Sequence, residues 1–171
     1  MMFDTAEDDK IVRTTSQLFS LLAHLYWCES NLEPLILWEA YREVDKNEAR
    51  VVLFKIIVSE QEQSNQLESL FNKLDGFDLK KTISKHHFIQ KEFKFKGVSN
   101  DKIFSDLIKN KKFLFHLYND IIQQTNPELI ERIWTGNHSN EFFNTFRDII
   151  DIKKQQIEML QPFLGKMERI M

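Results

Sequence analysis

Apolar residues recur at the three-and-four spacing of an amphipathic helix along most of the chain, and this periodicity constrains the fold more than any other feature. In the first half, two long periodic segments flank a short polar break at Asp45–Asn47, which is typical of a helical hairpin. Only four glycines and three prolines occur in 171 residues, too few for the frequent turns of a β-sandwich or barrel. The sequence therefore predicts an all-α protein.

Start and stop signals divide the chain into a short tail and four long helices, A to D, in one domain. Ser99 and Asn100 are good N-caps for helix C, and Gly76 is a suitable left-handed stop after helix B. Pro34 and Pro127 should kink helices A and C. The link between B and C looks irregular and is too long for a hairpin loop, so we expect it to run along the bundle. The predicted ranges are 1–10 for the tail, 11–44 for helix A, 48–75 for helix B, 77–99 for the crossover, 100–134 for helix C and 139–169 for helix D.

A shift of 89 residues lays the second half of the sequence over the first. Leu25 then falls on Leu114, and Gly76 falls on Gly165. The agreement lies in apolar positions and stops rather than in identities. Two similar hairpins joined by a long crossover would form a four-helix bundle with pseudo-twofold symmetry. Chance agreement between two amphipathic hairpins is the alternative.

The composition excludes several classes of protein. A net charge of −3 gives no electrostatic basis for nucleic-acid binding. The single cysteine, Cys28, excludes a disulfide framework and a Cys-based zinc or iron–sulfur cluster. No apolar run approaches the ~18 residues of a membrane span, and the acidic start Met1–Lys10 lacks the pattern of a signal peptide. We therefore expect a cytoplasmic protein that binds neither nucleic acid nor membrane.

Two carboxylates stand near the middle of the first hairpin. Glu29 lies about midway along helix A, and Glu62 follows 33 residues later, about midway along helix B. Antiparallel helices would bring these positions to the same level of the bundle, with Asn65 one turn beyond Glu62. The spacing predicts a buried polar or metal site there.

This arrangement resembles the rubrerythrin-type members of the ferritin-like superfamily, whose di-iron site combines helix-borne carboxylates with Glu-x-x-His motifs. The resemblance implies a four-helix up-down-down-up bundle with a long crossover between helices B and C. Glu29 and Glu62 match the ligand pattern, whereas Asn65 stands where the family has histidine. With the shift of 89 residues, the other ligand positions fall on Tyr118, Asp151 and Lys154.

This set of residues is poor in ligands for a di-metal centre, because it contains no histidine and includes a lysine, whose ammonium group cannot coordinate. We interpret Glu29, Glu62, Asn65, Tyr118, Asp151 and Lys154 as a metal-free polar network at the bundle centre, with Lys154 neutralising the acids and with Tyr118 and Asn65 donating hydrogen bonds. A weak or mononuclear iron or manganese site at Glu29, Glu62 and Asp151 is one alternative. The other alternative is that these residues lie apart from one another in the folded protein. A register error in helix C would bring His116 or Asp120 inward instead.

Three functions fit these observations. The first is a non-catalytic binding or structural protein, a homodimer without catalytic residues or a resident cofactor. The second is an oxidoreductase or iron-handling protein with an unusual carboxylate-rich site. The third is a small-molecule binder that uses the aromatic core, notably Trp27, Trp38 and Trp134.

Overall fold

The structure is a computed structural model, and it describes residues 12–86, 88 and 94–165. Every regular element in these ranges is helical, and the only β-type pairs there are two isolated bridges, Val12 with Thr125 and Leu74 with Trp134. The prediction of an all-α fold is therefore confirmed. The elements are α1 (Thr15–Trp27), a π-helical turn (Cys28–Leu32), α2 (Glu33–Glu43), α3 (Asn47–Phe71), α4 (Leu79–Lys85), α5 (Asn100–Gln124), α6 (Pro127–Ile133), α7 (Asn140–Leu160) and a 3₁₀ turn (Gln161–Phe163).

Predicted helix A is a single helical arm formed by α1, the π-helical turn and α2. A capping box starts it: the Thr14 hydroxyl accepts from the Gln17 backbone N–H, and the Gln17 side chain accepts from the Thr14 N–H. The π-helical turn ends at Leu32, two residues before Pro34. A proline ring in a regular α-helix clashes with the carbonyl four residues earlier, so a widened turn at this point relieves the contact with Ser30. The arm ends at Val44, where the backbone becomes extended.

The second helix ends four residues earlier than the predicted 75, and the crossover also differs from the prediction. Helix α3 ends at Phe71, and Gly76 adopts the left-handed conformation with a φ of 77°. The crossover, predicted to be irregular, contains α4, which packs against α1. Asp78 caps α4 by accepting from the Lys81 backbone N–H. Alternation of polar and apolar residues from Glu92 to Lys96 in the sequence predicts a short extended segment in the crossover, and residues 92 and 93 of it lie outside the described part of the chain.

Predicted helix C is two helices rather than one kinked helix. Helix α5 ends at Gln124, Thr125 and Asn126 are extended, and α6 begins at Pro127. A residue that precedes proline is pushed out of the helical region, and the Asn126 side chain then caps α6 by accepting from the Glu128 N–H. In predicted helix D, α7 gives way to the 3₁₀ turn at Pro162, and residues 166–169 lie outside the described part of the chain.

Each of the four long segments packs against two of the others. The arm α1–α2 packs on α3 and α5, and α7 packs on the same two helices. Their buried apolar side chains form two separate clusters, one around Leu22 and Leu70 and the other around Ile36 and Phe104. Each long segment passes from one cluster to the other through a short stretch that buries polar side chains. A polar layer therefore separates two apolar cores. None of the described helices is long and apolar enough to cross a bilayer.

Burial follows the shift of 89 residues that the sequence suggests. Buried Leu22 corresponds to buried Lys111, and buried Ser64 corresponds to buried Lys153. Helix α7 also ends at Leu160, 89 residues after the end of α3 at Phe71. The repeat thus extends to the polar layer, although its chemistry differs between the halves.

Candidate functional site

Five charged side chains are buried in the polar layer between the two apolar clusters. The arm α1–α2 and its π-helical turn contribute two carboxyl groups, α3 contributes one, and α5 and α7 contribute one lysine each. No side chain of this set is more than 1% exposed. Because isolated buried charges are strongly unfavourable, such a set is stable only when its members pair with one another. The set consists of Glu29, Glu33, Glu60, Lys111 and Lys153.

Lys153 links the first hairpin to α7. Its Nζ lies 2.7 Å from Glu29 Oε1, 2.7 Å from Glu60 Oε2 and 2.9 Å from Glu60 Oε1. The side chain is 0% exposed. An ammonium group has three N–H donors, and these contacts give it three carboxyl oxygens as acceptors.

Lys111 extends the same network towards α2. Its Nζ lies 2.5 Å from Glu60 Oε1 and 2.6 Å from Glu33 Oε2. The Asn110 side chain donates to the other oxygen of Glu33. Glu60 therefore stands at the centre of the network and accepts from both buried ammonium groups.

Two hydroxyl groups hold the Glu29 end of the network. The Tyr118 hydroxyl donates to Glu29 Oε1 at 2.8 Å, and the Ser64 hydroxyl donates to the backbone carbonyl of Glu29 at 3.4 Å. The second carboxyl oxygen, Glu29 Oε2, is buried without a hydrogen-bond donor. An ionised carboxylate would leave this oxygen unsatisfied, whereas the O–H of a carboxylic acid has an acceptor in the neighbouring carboxylate of Glu60.

Charge balance also favours a proton on Glu29. The layer holds three carboxyl groups and two ammonium groups, so one neutral carboxyl makes it electrically neutral. Burial and the neighbouring Glu60 raise the pKa of Glu29 well above its ordinary value, against the opposing effect of Lys153. Burial alone would also raise the pKa of Glu60, but Lys111 and Lys153 outweigh burial and lower it. We therefore assign the proton to Glu29.

The neighbouring groups respond to the same environment. Burial alone would lower the pKa of Lys153, but Glu29 and Glu60 raise it above its ordinary value. Burial and Glu29 raise the pKa of Tyr118, so its hydroxyl remains a hydrogen-bond donor. Burial raises the pKa of Cys28 to about 12, with Glu29 adding to the effect. At neutral pH this thiol is therefore neither a nucleophile nor a ready ligand.

The structure brings together only two of the residues that the sequence placed at this site. Glu29 and Tyr118 are buried and hydrogen-bonded to each other. The other residues predicted for the bundle centre are exposed, so their predicted place is wrong. The Nζ of Lys154 lies 5.6 Å from the centre of the Phe115 ring instead of among carboxylates. The neighbouring candidates on α5 are exposed as well. The exposed residues are Glu62, Asn65, Asp151, Lys154, His116 and Asp120.

The errors are errors of helical phase. Successive residues of an α-helix are rotated by about 100° around its axis. Glu62 is therefore rotated by about 200° from Glu60, to nearly the opposite face of the helix, and Lys154 by about 100° from Lys153. The phase of the apolar residues would have identified the correct side chains. Lys111, for example, lies four residues after Leu107 and three before Leu114, both of which are buried. A charged residue at the helical spacing of a buried apolar stripe was the sequence signal that could have identified the buried lysines.

No protein-family model matches the chain, and neither a curated protein nor a solved structure matches it.

The residues present do not fit the di-iron centre that the ferritin-like resemblance implies. The layer contains no histidine, and ammonium nitrogens stand between the carboxyl groups, 2.5–2.9 Å from their oxygens. A protonated amine has no lone pair for a metal and repels a cation. Within residues 12–86, 88 and 94–165, no three His, Cys, Asp or Glu side chains are grouped as a ligand set. The arrangement is that of a closed ion-pair network.

Proposed function

We propose that this protein is a ferritin-like helical bundle in which ion pairs stand in place of the metal centre, and that it is a non-catalytic binding or structural protein. One observation carries the proposal: the buried ammonium group of Lys153 lies 2.7 Å from both Glu29 and Glu60. These two carboxyl groups come from the helices that would supply ligands in a rubrerythrin-type site. Lysine occupies the position between them.

The four-helix up-down-down-up arrangement is part of the proposal. It is supported by the contacts of the arm α1–α2 and of α7 with both α3 and α5. The separation of α3 from α5 by the residues between Phe71 and Asn100 gives the long crossover that this arrangement requires. The correspondence of buried positions between the two halves gives further support.

A structural role follows from how both buried ammonium groups are paired. Every buried ammonium group contacts carboxyl oxygens from two different helical segments. Such pairs are only sometimes a net gain in stability over apolar packing, but they set one register, because any slip leaves a buried charge unpaired. The layer therefore holds the four long segments in a unique alignment, and a partner or ligand would bind to the outer surface.

Metal analysis tests this proposal. The protein is produced in medium with excess iron or manganese and purified without chelator, and its metal content is measured by mass spectrometry, with a rubrerythrin processed in parallel as the loading control. We expect far less than one ion per chain. About two tightly bound ions per chain would contradict the proposal.

The alternative function, a metal-binding oxidoreductase or iron-handling protein, has one observation in its favour. Three carboxyl groups, from Glu29, Glu33 and Glu60, converge in a single layer. This function requires both lysines to leave the layer or lose their protons. Peroxide-dependent oxidation of iron that disappears in Glu60→Ala would support it, whereas no iron-dependent activity in the parent protein would exclude it.

The homodimer and the cytoplasmic location predicted from the sequence stay predictions. Sedimentation equilibrium of the full chain tests the homodimer, and a molecular mass near 20.5 kDa would identify a monomer.

A further inference from the structure

A groove runs along the outside of the first hairpin, between the arm α1–α2 and α3. It encloses about 510 Å³, within the range of small-molecule sites. Tyr26 and Glu68 mark one end, where the Tyr26 hydroxyl donates to Glu68 Oε2 at 3.3 Å, and Trp38 and Phe54 mark the other. Twelve residues of helix separate Tyr26 from Trp38, so the hairpin groove is about 18 Å long.

The two ends of the hairpin groove differ in polarity. Trp38, Phe54 and Val58 line the apolar end and are 43%, 51% and 45% exposed. Large apolar side chains exposed together on one face commonly mark a binding surface. Glu68 lies at the tyrosine end instead, and Glu62 lies six residues before it on α3, between the two ends. An occupant that matches both ends has an apolar body and a polar head.

The charge of the groove decides which head it accepts. Glu60 reaches the floor of the groove, but its charge is balanced by Lys111 and Lys153 inside the bundle. Within the part of the chain that the structure describes, no cationic side chain pairs with Glu62 or Glu68, and none of the lining residues is lysine, arginine or histidine. The aromatic face of Tyr26, at the same end as Glu68, also attracts cations. A positive head is therefore favoured and a negative one is repelled.

We propose that the hairpin groove binds an organic cation, with an ammonium or guanidinium head near Glu62 and Glu68 and an apolar body against Trp38, Phe54 and Val58. This proposal rests on the binding role proposed above and names the class of ligand. The metal content of the protein tests the ion-pair network independently, so failure of one proposal is distinguishable from failure of the other.

Calorimetric titration of the full chain tests the proposal with two probes of equal chain length and opposite charge. Octyltrimethylammonium bromide supplies the cation and sodium octyl sulfate the anion, both below the concentration at which they form micelles. We expect the cation to saturate one site per chain and to bind at least roughly tenfold more tightly than the anion, because two carboxylates attract one probe and repel the other.

A pair of double variants locates the site. Glu62→Gln with Glu68→Gln removes the two charges of the groove that no lysine balances, whereas Glu128→Gln with Glu131→Gln removes two exposed charges on α6, outside the groove. All four residues are exposed, so both proteins should keep the native near-ultraviolet circular dichroism. We expect the groove variant to bind the cation roughly tenfold more weakly and the α6 variant to bind it like the parent protein.

Three results would overturn the proposal. The first is equal affinity for the cation and the anion, and the second is unchanged affinity in the groove variant. The third is a dimer, detected by sedimentation equilibrium, that dissociates in Phe54→Ser, because the groove would then be an interface between two copies of the chain.

Discussion

Replacement of Lys153 by methionine tests the ion-pair network directly. Methionine keeps most of the length of the lysine stem but removes the ammonium group, so the change is mainly one of charge. With Glu29 protonated, the remaining layer would hold the carboxylates of Glu33 and Glu60 against the single ammonium group of Lys111. The variant therefore buries one surplus negative charge.

The contacts of Lys153 set the size of the effect. It pairs with Glu29 and Glu60 at 2.7 Å and is fully buried. Opposite charges with centres about 4 Å apart attract by about 4 kcal/mol at an effective dielectric constant of 20, which offsets much of the cost of burying them. Removal of one partner of a buried ion pair costs about 3–5 kcal/mol, and we expect Lys153→Met to lower the free energy of unfolding by this amount.

The matched control lies one position along the same helix. Lys154 is exposed, so Lys154→Met should change the free energy of unfolding by no more than ~0.5 kcal/mol, the usual range for surface substitutions. Urea denaturation at neutral pH, with linear extrapolation to water, measures both variants. Glu60→Gln in the Lys153→Met background removes the surplus charge and should recover about 1–3 kcal/mol.

The pH dependence of Lys153→Met gives a second measurement. A carboxyl group whose pKa is higher in the folded state contributes stability at low pH that is lost as the pH rises through the folded pKa. The surplus charge in the variant can be removed by protonating a carboxyl group, so the loss of stability should shrink as the pH is lowered towards about 5. A loss below ~1 kcal/mol at neutral pH, or equal losses in Lys153→Met and Lys154→Met, would refute the network.

Three further predictions concern the neighbours of Lys153. The pKa of Glu29 is raised in the folded state. Its contribution to the free energy of unfolding is therefore lost as the pH rises from its pKa in the unfolded chain through its pKa in the folded protein. The side chain in Glu29→Gln cannot titrate. The free energy of unfolding, measured by urea denaturation between about pH 5 and 8, should therefore depend less steeply on pH than in the parent protein. A steeper dependence would contradict a proton on Glu29. Tyr118→Phe removes the hydroxyl that donates to Glu29 Oε1 and should cost about 1–2 kcal/mol in the same assay, whereas no loss would show that the hydrogen bond is not needed. Cys28, with its pKa raised to about 12, should not react with a disulfide reagent in the native protein near pH 8 and should react fully in urea; rapid labelling without urea would place the thiol in solvent.

The helices could be predicted from the sequence because their causes are local. The spacing of apolar residues and the N-cap Ser99 act within one or two turns of chain, and the structure has both as expected. Gly76 is left-handed, as expected, but it lies in the turn that follows α3, because the helix already ends at Phe71. The error at Pro127 has a local cause as well. The restriction that proline places on Asn126 was sufficient to end α5 and start a new helix.

The candidate site was predictable only in part. Glu29 was identified by its place midway along helix A and its spacing from Glu62, and Tyr118 by the shift of 89 residues, and the two are hydrogen-bonded. The same spacing, typical of a di-iron family, pointed to Glu62 instead of Glu60. The π-helical turn after α1 was not anticipated either, and a wider turn alters the phase of the residues that follow it.

The sequence by itself determined that the chain forms amphipathic helices, where most of them begin and end, and that charged residues must interrupt their apolar faces. Only the tertiary structure decided which of those charges meet. Successive side chains of an α-helix point about 100° apart around its axis, and the partners of a buried charge come from helical segments up to 124 residues away in the chain, as in the pair of Lys153 and Glu29. Their relative rotation is set by the packing of all four long segments around two apolar cores, and no local signal carries that information.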